Sequence, residues 1–175
     1  IINEFITFEI NREDKLLKIK QINIKGRAVI YKSNIDSWNI EMNNLDNKNM
    51  EIGNTNFENL TGCLTIIDSN FNNIEILANN LFCEDSVNFI RSSGNIRKIN
   101  INSSHSDAID SDFSKIKFEK IFVNNAKNDC VDLSYGSYII EEAFLKNCGD
   151  KAISIGEKSN VDIRFAEISN SNFGI

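Results

Sequence analysis

The sequence predicts an all-β fold, a right-handed parallel β-helix (β-solenoid) with about 22 residues per coil. A pair made of a small residue and a branched apolar residue recurs every 22 or 23 residues, and a period in this range indicates stacked repeats. Short runs with period-two alternation, such as VDLS and YIIE, are rich in Val, Ile and Tyr, as β-strands are. No segment carries an apolar stripe of helical period over three turns. Together these observations favour three short strands and three corners per coil.

Two columns of residues keep this period. The branched apolar column has intervals of 23, 22, 22, 22 and 22 residues and consists of Leu64, Val87, Ile109, Val131, Ile153 and Ile175. The asparagine column has intervals of 21, 22, 23, 22 and 23 residues and consists of Asn59, Asn80, Asn102, Asn125, Asn147 and Asn170. Because adjacent strands lie about 4.8 Å apart, we expect the first column to stack as an inward aliphatic ladder. We expect the amides of the second to lie inside a corner, bond to the next coil and satisfy buried backbone groups.

The repeat divides the chain into two parts. Residues 42–175 are predicted to form regular coils, and residues 50–62 match the second half of the repeat. Residues 1–41 are rich in strand-forming runs but poorly registered, so we expect an irregular first coil or a cap. The sequence starts without Met or a visible signal segment and stops within a repeat. We therefore expect a longer polypeptide, with more chain or a partner covering the C-terminal edge.

Composition bounds the class of partner. The 175 residues carry a formal net charge of -6 and are 41% hydrophobic, enough for one domain with a sizeable core. Nucleic acid is not the expected partner, because phosphate binding needs clustered Lys and Arg. No apolar run approaches the roughly 18 residues of a membrane-spanning helix.

Four cysteines stand at Cys63, Cys83, Cys130 and Cys148. They match no zinc-binding spacing, and the repeat registration pairs none of them in an obvious way. Cys130 falls in a column with Ser86, Ala108 and Ala152, which we interpret as an outward column of small spacers.

Carboxylates gather on the first strand of successive coils. If Ile109 points inward, Asp110 and Asp112 point outward, with Asp132 and Ser134 in the same columns one coil later. Asp107 and Asp129 occupy a corner column just before this strand, and Lys151 follows them. Glu157 lies close by, and His105, the only histidine, precedes Asp107.

Several interpretations of these acids remain open. Asp107 and Asp129 suit capping of corner N–H groups, with Lys151 reaching across to Asp129. Asp110, Asp112 and Asp132, in mid-strand, suit a ligand-binding or catalytic role. Their oxygens would also suit Ca²⁺, although no run matches a known calcium loop. His105 is a candidate general base, and Trp38 and Tyr135 are candidate sugar-stacking rings, although each residue type is more often structural.

The repeat resembles the pectin-lyase-like superfamily of right-handed parallel β-helices, whose members mostly bind, cleave or epimerise polysaccharides. Its motifs SDAID (106–110), NDC (128–130) and GDKAISIG (149–156) are similar to NTDGID, GDDC and GHGISIG of polygalacturonase-type hydrolases. This resemblance implies catalytic roles for Asp107 and Asp129. Asn128 and Lys151 depart from the motif where it has its first paired acid and its histidine. The closer resemblance is to β-helix repeats of bacterial cell-surface and exported proteins with no assigned activity.

The sequence therefore predicts a β-helix module of an extracytoplasmic bacterial protein, which recognises polysaccharide or a cell-surface glycan, or serves as a surface scaffold. The alternative is a polysaccharide-active hydrolase, lyase or epimerase. In that case Asp107, Asp110, Asp129 and Asp132 would be catalytic, with Lys151 as proton-transfer partner. Asp112, Ser134, Glu157 and His105 would contact the ligand under either hypothesis.

Overall fold

The computed structural model describes residues 4–44 and 59–175. Within them the chain is all-β, without a helix, and winds as a β-solenoid of about 6 turns, roughly 23 residues apart. Two sheets run along the solenoid, one of six short strands and one of ten mostly longer strands. The β-solenoid fold predicted from the repeat is therefore confirmed.

The strands alternate between the two sheets along the chain. The short-strand sheet contains β3 (Ala28–Tyr31), β6 (Gly62–Ile67), β8 (Asp85–Ile90), β10 (Asp107–Asp112), β12 (Val131–Ser134) and β14 (Ile153–Ile155). The long-strand sheet contains β1 (Ile6–Asn11), β2 (Leu16–Gln21), β4 (Asn34–Asp36), β5 (Asn39–Asn44), β7 (Asn70–Leu81), β9 (Ser93–Ser104), β11 (Lys115–Ala126), β13 (Ser137–Lys151), β15 (Asn160–Ile163) and β16 (Ala166–Phe173).

The aliphatic ladder forms as predicted over five rungs. Parallel pairing stacks Leu64, Val87, Ile109, Val131 and Ile153 in register, and each has 0% exposure. Burial of each such side chain contributes about 1.5–3 kcal/mol, so the ladder is a large part of the core. Ile175, the predicted sixth rung, is instead 67% exposed, because no described strand lies beyond it to cover it.

The predicted second and third strands are joined in the interior coils. In β11 the inward–outward alternation is interrupted once. Two consecutive outward residues, Glu119 and Lys120, lie between the inward residues Phe118 and Ile121 and mark a bend within one continuous strand. In the outer coils the strand breaks near this bend, giving β4 and β5 at one end and β15 and β16 at the other. The third corner therefore exists, but hydrogen bonding continues through it in the middle of the solenoid.

The N-terminal region combines a hairpin with a stacked coil. β1 pairs antiparallel with β2, and β2 then pairs in parallel with β5. The predicted cap region, residues 1–41, thus contains one antiparallel edge strand and strands that join the parallel stack. The match of residues 50–62 to the repeat falls mostly outside the described residues.

The asparagine column lies on the surface of a corner and not inside it. Left-handed backbone occurs at Asn59, Asn80, Ser103, Asn125, Asn147 and Asn170, so Asn102 was assigned one position too early. Asn tolerates this conformation, which here turns its side chain towards solvent. The coil-to-coil amide bonds are nevertheless present: Asn170 Nδ2 donates to Asn147 Oδ1 at 3.0 Å, and Asn147 Nδ2 to Asn125 Oδ1 at 2.8 Å.

Serines provide the internal polar ladder instead. The backbone N–H groups of Ser33, Ser69 and Ser92 each donate at 3.1 Å to a serine Oγ one coil further on, that of Ser69, Ser92 and Ser114, respectively. Ser69, Ser92 and Ser114 are buried, so these bonds satisfy backbone groups that water does not reach. The prediction gave this role to the asparagines.

Two disulfides close individual coils, a pairing that the repeat registration did not make obvious. Cys63 bonds to Cys83, and Cys130 to Cys148. The column of Cys130 faces inward, with Ser86, Ala108, Cys130 and Ala152 all 0% exposed. The spacer interpretation of Cys130 was therefore wrong. Each bond joins the start of a short strand to the end of a long one, where the coil returns to its starting corner.

Candidate functional site: an acidic strip on the short-strand sheet

The acidic strip runs along the outer side of the short-strand sheet. It consists of Asp85, Asp107, Asp110, Asp112, Asp129 and Asp132. The register places Asp110 between Asn88 and Asp132, and Asp112 between Ile90 and Ser134. Ser154 follows Asp132 in its column. The structure therefore brings Asp110 and Asp132 together as vertical neighbours, whereas the vertical neighbours of Asp112 are not acids.

Asp107 and Asp129 cap the backbone of the following coil. Asp107 Oδ1 accepts hydrogen bonds from Asp129 N–H and Asn128 Nδ2, both at 2.7 Å. Asp129 Oδ1 accepts a bond from Lys151 N–H at 2.8 Å. The capping geometry expected for this corner column is present, so both carboxylates have a structural contact in addition to any ligand role.

Lys151 neutralises only one end of the strip. Its Nζ lies 3.6 Å from Asp129 Oδ2 and 2.9 Å from Asp150 Oδ2, as expected for a lysine that reaches across to Asp129. Hydrogen bonding to Asp150 and the charge of Asp129 raise the pKa of Lys151. No other strip carboxylate is in an ion pair within the described residues.

Asp110 shares a buried amide with Asp85. Asn88 is 2% exposed, and its Nδ2 lies 2.7 Å from Asp110 Oδ2 and 3.1 Å from Asp85 Oδ2. One amide group thus serves two carboxyls, and Asn88 Oδ1 has no partner. Sequence reasoning placed Asn88 in the column of Asp110 but missed this bridging contact, for which that shared column was the available signal.

Several carboxyls of the strip hold protons more tightly than ordinary carboxyls do: those of Asp85, Asp107, Asp110, Asp112 and Asp132. Burial, together with the charges of neighbouring acids, above all Asp85, raises the pKa of Asp110 to about 9. Burial likewise raises the pKa of Asp85 and of Asp107 to about 6 each. Burial also raises the pKa of Asp112 and of Asp132. The charge of Asp132 contributes to the shift at Asp112. Asp110 is therefore a neutral carboxylic acid near pH 7 and can donate a hydrogen bond.

His105 lies at the corner before the strip and faces a different environment. Its ring stacks on Phe82, with centroids 5.4 Å apart, and lines a cavity of about 140 Å³ together with Lys127. Burial and the charge of Lys127 lower the pKa of His105, and its buried Nδ1 has no hydrogen-bond partner. The imidazole is accordingly neutral near pH 7.

The remaining predicted contacts lie at the far edge of the strip. Tyr135 stacks on Phe113, with ring centroids 4.9 Å apart, and Lys158 Nζ lies 5.9 Å from the Tyr135 ring centroid. Ser134 is half-buried, and Glu157 is exposed and accepts the Tyr135 N–H through its carbonyl oxygen at 3.0 Å. Trp38 is far from the strip residues in the sequence. It is partly buried and packs against the core, so its contact is structural.

The described residues show no preformed metal site: no group of three or more His, Cys, Asp or Glu is arranged to hold an ion. Residues 4–44 and 59–175 also contain no helix long and apolar enough to cross a membrane. Five cavities in the described part of the molecule lie away from the strip. The chain matches no family model, no curated protein and no solved structure.

Proposed function

We propose that this chain is a β-solenoid module of an extracytoplasmic bacterial protein, related in fold to pectin-lyase-like proteins, and that it recognises polysaccharide along the acidic strip. The observation that carries the proposal is the close packing of buried and half-buried carboxyls along β8, β10 and the start of β12, where, among the described residues, only Asp129 is in an ion pair. Such stacking opposes folding, so a role in binding accounts for it better than a role in stability.

The chemistry of the strip suits hydroxyl-rich ligands. A neutral Asp110 both donates and accepts, Ser154 adds a hydroxyl group in the same column, and Ser134 adds one in the column of Asp112. Protonation also reduces the negative charge that an acidic polysaccharide would meet. The regular strand spacing of about 4.8 Å repeats these groups along the solenoid axis, as a polymer of repeating units requires.

The disulfides support the proposed location. Two bonded pairs, Cys63–Cys83 and Cys130–Cys148, account for all cysteines of the chain. Disulfides persist in secreted, periplasmic and cell-surface proteins and are rare in the reducing cytosol. An extracytoplasmic site is also where a surface glycan would be met.

Binding is tested with a panel of acidic and neutral polysaccharides immobilised for affinity electrophoresis. We expect retardation of the wild-type protein by at least one of them, reduced in the double variant Asp110→Asn/Asp132→Asn. Glu141→Gln, on the other sheet, is the matched control and should bind normally. Equal retardation of all three proteins, or no retardation by any polysaccharide, would contradict the proposal.

An enzymatic role is the second candidate, and the raised pKa of Asp110 favours it, since a carboxyl that is protonated near neutral pH can act as a general acid. Asp107, Asp129 and Asp132 would then supply the second carboxylate, with Lys151 as proton-transfer partner. The test is incubation with the same panel, following reducing ends and the absorbance of unsaturated products. Turnover that is lost in Asp129→Asn would favour an enzyme over a binding module.

A further inference from the structure

The outer side of the long-strand sheet carries a trough that is separate from the acidic strip. Two cavities, of about 350 and 330 Å³, share Asn100 as a lining residue. The first extends from Leu16 to Asn100 and the second from Asn100 to Ser169, so together they cross β2, β5, β7, β9, β11, β13 and β16. Seven strands spaced by about 4.8 Å make the trough roughly 29 Å long, parallel to the solenoid axis.

The trough contains amides that no intramolecular contact satisfies. Asn100 is half-buried at the junction of the two cavities, and its side chain bonds to no other described residue. The same is true of Asn39 at one end. Their neighbours in the corner ladders behave differently, since Asn124 donates to Asn102 at 3.3 Å and Asn79 to Asn43 at 2.6 Å. Free amides in a cavity point to a ligand with hydroxyl groups.

The apolar lining of the trough offers ring edges and aliphatic surface to a ligand and, among its described residues, no free aromatic face on which a sugar ring could stack. Phe122 and Phe144 lie face to face, 7° from parallel with centroids 5.1 Å apart, and Lys98 Nζ lies 5.4 Å from the Phe122 ring centroid. Because these ring faces are occupied, only the ring edges reach the trough. Leu77 adds an aliphatic surface in the same column. The C–H faces of a sugar polymer suit such a lining.

The charges of the lining exclude strongly charged polymers. Glu41, Glu75 and Glu167 would repel a polyanion, and Lys98 and Lys146 would repel a polycation. Both signs occur along the trough, with Glu41 and Glu75 towards one end, Lys98 and Lys146 in the middle and Glu167 at the other end, so the trough does not attract one sign of charge over its whole length. An uncharged chain avoids both penalties.

We propose that this trough binds a linear, uncharged glycan that lies parallel to the solenoid axis. Asn39 and Asn100 hydrogen-bond its hydroxyl groups, and Leu77 with the edges of Phe122 and Phe144 contacts its C–H faces. One sugar residue is comparable in length with the strand spacing, so successive residues meet successive coils. This site is distinct from the acidic strip and does not depend on it.

The test follows the side-chain amide resonance of Asn100 in ¹⁵N-labelled protein during titration with malto-, cello-, laminari-, xylo- and manno-hexaose. The Asn100→Ala variant assigns the resonance, and hexagalacturonate is the charged comparison. We expect at least one neutral hexaose to shift this resonance and hexagalacturonate to leave it unmoved. Loss of the hydrogen bonds in Asn100→Ala, or insertion of a charge in Leu77→Glu, should weaken the affinity about tenfold.

Two control variants separate the trough from the strip. Asn160→Ala changes an exposed asparagine on β15, outside both cavities, and should retain full affinity. Asp110→Asn alters only the strip and should also retain it. An Asn100 resonance that no neutral hexaose moves would overturn the proposal. So would affinity that falls in Asp110→Asn while it survives in Asn100→Ala, a result that would place the glycan on the strip and support the proposed function alone.

Discussion

The two outer faces of the solenoid handle stacked charges in opposite ways. On the long-strand sheet, opposite charges follow one another from coil to coil: Glu141 lies 2.8 Å from Lys117 Nζ and 2.6 Å from Arg164 Nη1. Hydrogen bonding to Lys117 and the charges of Lys117 and Arg164 lower the pKa of Glu141. On the short-strand sheet, Asp110 has Asp132 above it and Asn88 below it, and its pKa is raised.

The comparison shows that the fold does not require the acidic strip. The same chain, with the same repeat, places Lys opposite Glu on one face and carboxyl beside carboxyl on the other. Sites where a protein departs from its own stabilising pattern are where function is expected. This is why the strip, and not the paired face, is the first candidate for a ligand.

The largest predicted effect tests whether the two faces share one cooperative core. The Cys130–Cys148 bond closes a coil at the corner where the two sheets meet. Replacing both residues with Ala should lower the free energy of unfolding by about 2–4 kcal/mol, because the unfolded chain regains loop entropy. Urea denaturation checks this. A loss confined to one sheet, seen as a non-coincident transition by different probes, would contradict a shared core.

Asp110→Asn should stabilise the protein, whereas removal of a paired charge on the long-strand sheet should destabilise it. At pH 8 the folded protein must either bind a proton at Asp110 or hold a buried negative charge, and both oppose folding. We expect the variant to be about 1–3 kcal/mol more stable at pH 8 and nearly unchanged at pH 3, where the carboxyl of the unfolded chain is also mostly protonated. Denaturation of both proteins at the two pH values measures the difference. Destabilisation at pH 8 would show that the carboxylate is favourably held.

The pH dependence of the wild-type protein should reflect the strip. Carboxyls with raised pKa bind protons that the unfolded chain has released, so stability falls as pH rises from about 4 towards 9. His105, with its lowered pKa, opposes this trend below about pH 6.5. Above that pH, Asp110 dominates, and the melting temperature should decrease steadily to pH 9. A flat profile between pH 7 and 9 would refute the assignment.

The smallest effect concerns the paired face. Glu141→Gln removes an acid held between two cations, whose side chains are 45% and 60% exposed to solvent. We expect a small loss of stability at low salt, which decreases as salt screens the pair. Thermal unfolding at two salt concentrations measures it. A gain in stability would show that the Glu141 carboxylate opposes folding as the Asp110 carboxyl does, and the two faces would then not differ.

The repeat could be predicted because it is set by the core. Leu64, Val87, Ile109, Val131 and Ile153 must share one inward column, and any shift would turn them to the outside. Surface columns are less constrained. Asn102 was assigned one position early because Asn pairs such as Asn79–Asn80 and Asn124–Asn125 fit two adjacent columns equally well.

The disulfides and the serine ladder were missed for different reasons. A disulfide joins residues within one coil, and the columns of the repeat do not pair such residues. Ser86 and Ser104, Ala108 and Ala126, and Cys130 and Cys148 are each 18 positions apart and of one type, whereas Cys63 and Cys83 are 20 apart. Ser86 and Ser104 hydrogen-bond at 2.7 Å, in the position that Cys130 and Cys148 occupy two coils later. The serine ladder follows the repeat, since Ser69, Ser92 and Ser114 lie 23 and 22 residues apart, but its role was assigned to the asparagines.

The pKa of Asp110 tests the central claim, that Asp110 belongs to a stack of desolvated carboxyls whose repulsion is not offset by Lys151 at Asp129 or by Arg27, whose charge acts on Asp85. It can be measured directly from the ¹³C carboxyl shift during a pH titration, with Glu141 as the internal reference. We predict that Asp110 titrates well above pH 7 while Glu141 titrates below its ordinary range. Titration of Asp110 near pH 4 would show that the strip is solvated or neutralised, and the contrast between the two faces would be lost.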